Sequence, residues 1–275
     1  KKVINFENIN AIIVDEVHAS VNANETKDLL NFSTNAIYKI GFTATFDTSE
    51  KSDLFAFLSF FSKIKYYTNL NNLVKRKILS KFLLNVYILN YIFKINQSQI
   101  PIFDFNTEVD YFEKLSQKHK IVLDILKNKV FTTKNENNNT LILFKKRESA
   151  QLLYEFLKKE LPDNNFKYID GTIKVKTREE IRNVFETENN LILLASYGTF
   201  KQGVNIKNLH NIIFFSTTKS FYNVIQSIGR GLRKYPNKIL NIYDLVDKFS
   251  CSDTGISKNF SYNHFKKRKE YYDSK

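Results

Sequence analysis

Between Leu191 and Lys234 two short apolar runs, LILLA at 191–195 and NIIFF at 211–215, flank a polar loop containing Gly198 and Gly203. The pattern SFYNVIQSIGRGLRK follows at 220–234. Apolar runs of this length without polar alternation read as strands buried on both faces, which only a sheet covered on both sides accommodates. The segment after them reads as a helix on which Gln226, Arg230 and Arg233 stand at i, i+4 and i+7 and so share one face. Gly229 and Gly231 leave room around Arg230 for another surface to approach. Two guanidiniums facing one way suit a polyphosphate, since each offers a planar fork of donors to anionic oxygens. A solvated basic face is the alternative reading.

Other parts of the chain extend the same pattern. Asn10–Val14 (NAIIV) ends in Asp15-Glu16-Val17-His18, two carboxylates at the C-terminal end of a buried strand, where α/β sheets place their ligands. A helix around 27–32 and a strand over 36–42 lead into Thr43-Ala44-Thr45. Asp47, Thr48 or Ser49 can cap a helix through Phe60 with Leu54, Phe57, Leu58 and Phe61 as its apolar stripe. Residues 82–95 read as strands leading out of a first domain, and 96–108, with the first proline, as a linker. The pattern over 111–130 suggests helix, and Asn135–Asn139 a polar, mobile loop. Thr140–Phe144 is a buried strand followed by Lys145-Lys146-Arg147 and a helix bearing Leu152, Leu153, Phe156 and Leu157. The strand end at 168–172 (YIDGT) places Gly171 for close backbone approach. Thr177-Arg178-Glu179-Glu180 reads as a capping box. After 191–234 a last strand, 239–245, ends near Asp244 and Asp247.

The 226–233 segment, QSIGRGLR, resembles motif VI (QxxGRxxR) of superfamily 2 helicases, and the loop to Gly203 resembles their motif V. Asn208-Leu209-His210 and Asp244-Leu245-Val246-Asp247 make the chain most similar to the UvsW-type recombination helicases of T-even-like phages. The resemblance covers about 11–249. It implies tandem RecA-like α/β domains with parallel sheets, the first one incomplete: 1–95 as the C-terminal part of domain 1, 96–110 as linker, 111–249 as domain 2 and 250–275 as a basic C-terminal extension. Asp15-Glu16-Val17-His18 resembles motif II (DExH). In the family its first carboxylate, here Asp15, helps hold Mg2+, and the second, Glu16, orients or activates the attacking water. His18 then reads as a coupling side chain, with Thr43 and Thr45 in a motif III–like position linking the carboxylates to the nucleic-acid side. Arg230 and Arg233 reach the ATP phosphates, Arg233 as the better candidate finger, while Gln226 belongs to the catalytic set and Gly203 to the nucleotide-binding set. Lys145, Lys146, Gly171, Thr172, Ser196 and Thr199 are the implied nucleic-acid contacts. ATP lies between the two domains in such motors. The implied partners are DNA, single-stranded or branched, and RNA in R-loops.

Charge and composition agree. The 275 residues carry a formal charge of +14, favouring an anionic partner. The single cysteine, Cys251, leaves no internal disulfide and no cysteine-based zinc site. No apolar run is long enough for a membrane span and no signal peptide opens the chain, so an intracellular, membrane-free protein is expected. Without any methionine, Lys1 is not an ordinary translation start, and the chain is expected to be part of something longer. No GxxxxGK[ST] phosphate-binding loop occurs anywhere. A P-loop region upstream, or a partner chain, is therefore expected to complete the ATP site, and these residues alone are expected to lack ATPase activity. A non-catalytic, helicase-like module completing a site in trans is the second reading. Basic residues beside Tyr271 and Tyr272 near the end read either as a solvated terminal helix or as a nucleic-acid contact.

Overall fold

The structure, a computed structural model, describes residues 8–20, 23–43, 51–61, 63, 65, 68, 70–93, 104–131, 138–201, 206–218, 221–235, 238–251 and 259–273. The chain forms two compact units, Lys1–Thr68 and Asn69–Lys275.

In the first unit β1 (Ala11–Val14), α1 (Val17–Ser20), α2 (Asn24–Phe32), β2 (Tyr38–Gly41) and α3 (Lys51–Phe61) follow one another. The two strands pair in parallel, Ala11 opposite Tyr38 through Val14 opposite Gly41. A small core of Ile12, Leu30 and Ala36 forms beneath them, with Val17 and Phe57 adjoining. Ile13, Ile37, Tyr38 and Phe55 are 64–80% exposed, so much of the unit's apolar surface lacks cover. Leu58, expected in the buried stripe of α3, is exposed, whereas Phe57 is buried.

The second unit runs α4 (Leu70–Lys75), β3 (Lys81–Phe93), α5 (Phe105–Glu113) and α6 (Ser116–Ile125), the last continuing into a π turn at Leu126–Val130. Then come β4 (Thr140–Phe144), α7 (Arg147–Glu160), β5 (Asn165–Ile169), α8 (Val175–Thr187), β6 (Leu191–Ser196), α9 (Tyr197–Lys201), β7 (Asn211–Phe214), α10 (Phe221–Gly231), β8 (Ile239–Cys251) and α11 (Phe260–Asp273). The six strands form one sheet in the order β3-β8-β7-β4-β6-β5, every adjacent pair parallel. Alternate residues of each central strand enter opposite cores. Ile142, Phe144, Ile192, Leu194, Ile213 and Leu245 pack with Phe112, Val122 and Leu153. Leu141, Leu143, Leu193, Ile212, Phe214 and Ile242 pack with Phe185, Val224 and Ile228. This two-sided burial is what unbroken apolar strands demand, and it is the RecA-like α/β arrangement expected of the sequence.

Several boundaries move. Residues 81–93, expected as the way out of the first domain, pair along their whole length with β8 and are the edge strand of the second unit's sheet. They join it because Tyr87, Leu89 and Tyr91 enter one core and Phe82 and Leu84 the other. The expected linker begins to be helical at Phe105, where the Asp104 carboxylate accepts the Asn106 and Thr107 amides at 2.8 and 2.9 Å. The last strand continues past Asp247 to Cys251. The expected C-terminal extension is a helix packed on β8, with Ser261, Phe265 and Arg268 buried.

Two polar signals also resolve differently. The structure starts α8 at Val175 after an uncapped Lys174, so Thr177 lies inside the helix and the expected capping box does not form. Instead the Arg178 guanidinium folds back onto the carbonyls of Ile173 and Gly171 at 2.7 and 3.1 Å. Asn139, expected in a mobile loop, is fully buried. Its side chain donates to the Phe185 and Glu188 carbonyls and accepts the Leu191 amide at 2.8–2.9 Å, joining β4 to the turn before β6.

Candidate nucleotide and nucleic-acid sites

At the end of β1 the backbone turns sharply. Glu16 adopts φ 49°, a region that costs a non-glycine residue and recurs at functional sites. Its amide donates to Asp15 Oδ1 at 2.9 Å. The turn is held from β2 by Val17 N–H donating to the Phe42 carbonyl and Phe42 N–H donating to the Val14 carbonyl. Val17 packs so closely over Gly41 that a Cβ there would stand 3.0 Å from it. The result brings three expected residues together. His18 Nδ1 lies 2.6 Å from Thr43 Oγ1 and 3.3 Å from Glu16 Oε2, with the imidazole side chain only 6% exposed. Asp15 is exposed beside them. Thr45 lies outside the described residues. Among the described residues no cluster of three His, Cys, Asp or Glu could enclose a metal. Two adjacent carboxylates suit only an ion that keeps most of its waters, which is the habit of magnesium.

In the second unit α10 ends at Gly231, so Arg230 lies on the helix and Arg233 does not. Arg233 instead makes a β-bridge with Leu79, and Ser80 N–H donates to the Leu232 carbonyl at 2.8 Å. The expected common helical face of Gln226, Arg230 and Arg233 is therefore broken at its last member. The cause is packing: a Cβ on Gly231 would stand 2.9 Å from Leu240 and 3.0 Å from Ile212, so this glycine seats the helix end on the sheet. At Gly229 a Cβ would meet nothing within 4 Å. The Arg230 guanidinium is half-buried, 5.9 Å from the Phe200 ring of α9. Arg233 is exposed. The Gln226 side chain and the whole of Gly203 fall outside the described residues.

The expected nucleic-acid residues stand side by side at the C-terminal ends of β4, β5 and β6. Phe144 is opposite Ser196 and Ile169 opposite Ala195, so Lys145, Asp170 and Ser196 leave the sheet as neighbours. Lys145 is held through its amide, which donates to Ser216 Oγ at 2.7 Å, and its ammonium reaches Asn106 Oδ1 at 2.9 Å over the Phe105 ring. Lys146 pairs with Asp110 at 3.5 Å. Thr172 donates its amide and hydroxyl to Asp170 Oδ1 at 2.9 and 2.6 Å. Burial alone would raise the Asp170 carboxyl, but the Thr172 bonds and Arg147 at 3.3 Å bring it below the ordinary range. Gly171 and Thr172 are exposed. Ser196 Oγ and Thr199 Oγ1 are 2.7 Å apart, and Thr199 is buried, which turns its hydroxyl inward.

Beneath this rim lies a polar core that sequence reasoning missed. Glu113 accepts the Ser149 hydroxyl at 2.5 Å. Burial pushes its carboxyl up to about 7 against the opposing influence of Lys118, Ser149 and Ser216. Lys118 and Asp247 form a fully buried pair at 2.6 Å, and Tyr91 donates to the same carboxylate. Arg268 of α11 donates to both Asp244 oxygens at 3.1–3.2 Å and to the Thr218 carbonyl, while Tyr272 donates to Asp244 at 3.1 Å. The only sequence signal for these residues was charge placed among apolar neighbours, as in DLVD at 244–247.

With this geometry in place, residues 117–235 match the helicase conserved C-terminal domain. The chain is 22% identical to the ATP-dependent DNA helicase UvsW of Enterobacteria phage T4 over 94% of its own length and 50% of that protein's. It is 26% identical to IRC3 of Saccharomyces cerevisiae, named as an ATP-dependent helicase, over 90% of this chain and 35% of that one. It thus spans half or less of the curated relatives it matches. The crystal structure of T4 UvsW superposes with a TM-score of 0.53 at 20% identity, covering all of this chain and 54% of that one. The DNA-bound restriction-modification enzyme LlaBIII gives 0.61 at 13% identity over 92% of this chain and 19% of that one. The second unit therefore has the RecA-like fold of a helicase C-terminal domain. Over its whole length the chain is similar to the UvsW helicase.

Proposed function

We propose that the chain is the C-terminal portion of an ATP-dependent superfamily 2 DNA helicase that unwinds or remodels branched DNA, such as forks, Holliday junctions and R-loops, in recombination and repair. The observation that carries this reading is the His18 contact, because it joins the Glu16 carboxylate to Thr43, the segment through which a nucleotide-dependent change would pass to nucleic acid. Asp15 and Glu16 would hold a magnesium ion, which when bound neutralises phosphate charge. Glu16 orients the attacking water, and Arg230 and Arg233 stabilise the phosphoryl group in transfer. Lys145, Lys146, Gly171, Thr172 and Ser196 take the nucleic-acid backbone along the strand ends, with Thr199 fixing the Ser196 hydroxyl. In this reading the phosphate-binding loop is supplied by other polypeptide, the sequence holding no GxxxxGK[ST]. The poorly covered apolar surface of the first unit, Ile13, Ile37 and Phe55 included, is consistent with further polypeptide there.

The test uses the native gene product on a labelled fork and on a Holliday junction. ATP-driven unwinding is expected, and Glu16→Gln is expected to lower it about 100-fold or more while DNA binding persists. His18→Ala is expected to keep more ATP hydrolysis than unwinding. ATP-independent DNA binding without any unwinding would favour the non-catalytic module instead.

A further inference from the structure

Helix α11 is held to the second unit at both ends. Glu108 of α5 accepts the Phe260 and Ser261 amides at 2.9 and 2.7 Å, capping the N-terminus. Asn259 bonds both the amide and the carbonyl of Phe249, extending the β8 ladder by one side chain. Towards the other end Arg268 and Tyr272 converge on Asp244. Ser261, Phe265 and Arg268 thus face inward, and Lys266, Lys267 and Lys269 face solvent. On the same side, Lys248 of β8 and Lys266 of α11 both place their ammonium groups 5.1 Å from the centre of the Tyr262 ring. Each ammonium being 5.1 Å from the same ring centre, the two stand at most about 10 Å apart, about one Debye length at 0.1 M salt. Among the described residues no carboxylate pairs with Lys248, Lys266 or Lys267. Of the helix's own acids, Glu270 stands at i+4 from Lys266 and i+3 from Lys267, so the face keeps a net positive charge from three lysines against one carboxylate.

A fixed helix gathering like charges around one aromatic ring works against the stability of the free protein and favours a polyanion. We propose that Lys248 and Lys266, set around Tyr262, together with the exposed Lys267 of α11, form a second nucleic-acid surface that grips the phosphate backbone without reading sequence. It rests on the nucleic-acid reading given above and adds a contact remote in sequence from the helicase motifs. The Tyr262 ring holds the lysine stems in place, so that less side-chain freedom is lost when phosphates arrive. Rigid anchoring of α11 makes the surface part of the second unit rather than a loose tail.

The experiment measures binding of a fluorescent mixed-sequence single-stranded oligonucleotide by the native gene product between 50 and 200 mM salt. The variants are the triple Lys248→Ala, Lys266→Ala, Lys267→Ala and, separately, the double Lys145→Ala, Lys146→Ala. Each released phosphate contact contributes about 0.7 to the slope of log affinity against log salt, so the triple variant should lower the slope by about 2 and weaken binding roughly tenfold or more. It should still unfold cooperatively with a wild-type far-UV spectrum, since Lys266 and Lys267 are exposed. An unchanged affinity and slope in the triple variant, with a loss in the double variant, would overturn the α11 surface and leave the nucleic-acid reading standing. No binding by the wild type would overturn that reading itself. Loss of binding to phosphatidylserine vesicles in the triple variant, with oligonucleotide binding intact, would assign the surface to a membrane and overturn the proposal.

Discussion

The first and second units bury their strands very differently. In the second, six parallel strands are covered on both faces, and two pairs of opposite charges meet inside: Lys118 with Asp247 and Arg268 with Asp244. In the first, two strands stand over a small core, while Ile13, Ile37, Tyr38 and Phe55 remain largely exposed. A two-stranded pair is marginal in water on its own. The second unit thus buries its strands on both faces, whereas the first presents the Asp15–His18 turn on a small core with much exposed apolar surface.

The largest expected effects lie in the second unit. Lys118→Ala or Arg268→Ala leaves a carboxylate buried without its partner and should cost about 3–5 kcal/mol in urea denaturation, an effect that no exposed residue of the first unit should approach. Next, Glu113 should set a pH dependence. Its folded carboxyl titrates near 7, above its ordinary 4.5, so the native state favours the protonated form. Its contribution to stability is therefore present at low pH and is lost as the pH rises from 4.5 through 7, by an amount on the order of 3 kcal/mol. Glu113→Gln should remove that loss, seen as a flatter stability–pH curve above pH 5. Within α10 two glycines should then part company. Gly231→Ala should destabilise by about 1–3 kcal/mol through the clash with Leu240 and Ile212, and Gly229→Ala should stabilise by about 0.5–1 kcal/mol by favouring the helix, both read from thermal midpoints. The smallest effect belongs to the first unit: Phe55→Ser should change stability by under about 0.5 kcal/mol, yet reduce binding of an apolar dye. A large loss of stability there would mean that the unit's apolar surface is already covered.

The same contrast explains what the sequence made legible. Strands with unbroken apolar runs, such as 140–144, 191–196 and 211–214, announced a two-sided sheet directly, and the DEVH turn after β1 marked its own position. Where a residue's role depended on a distant partner, local pattern failed. Arg233 looked helical because its spacing was, but Gly231 had to press against Leu240, and the helix stopped there. Residues 81–93 looked like an exit strand because nothing nearby shows that β8, more than 150 positions later, pairs with them. Asn139 read as a loop residue, and Arg268 as part of a solvated terminal helix or a nucleic-acid contact, because polarity usually means exposure. Both are buried, satisfying carbonyls or a carboxylate that the sequence keeps far away.

Arg230 on α10 and Arg233 just beyond its end are proposed to serve ATP hydrolysis. DNA-stimulated turnover of ATP by the native gene product and by its Arg233→Ala variant tests this most directly. The account predicts that kcat falls about a thousandfold or more in the variant, with KM for ATP little changed. Equal turnover by the two proteins would contradict it and leave Arg233 as an exposed residue of the bridge to Leu79.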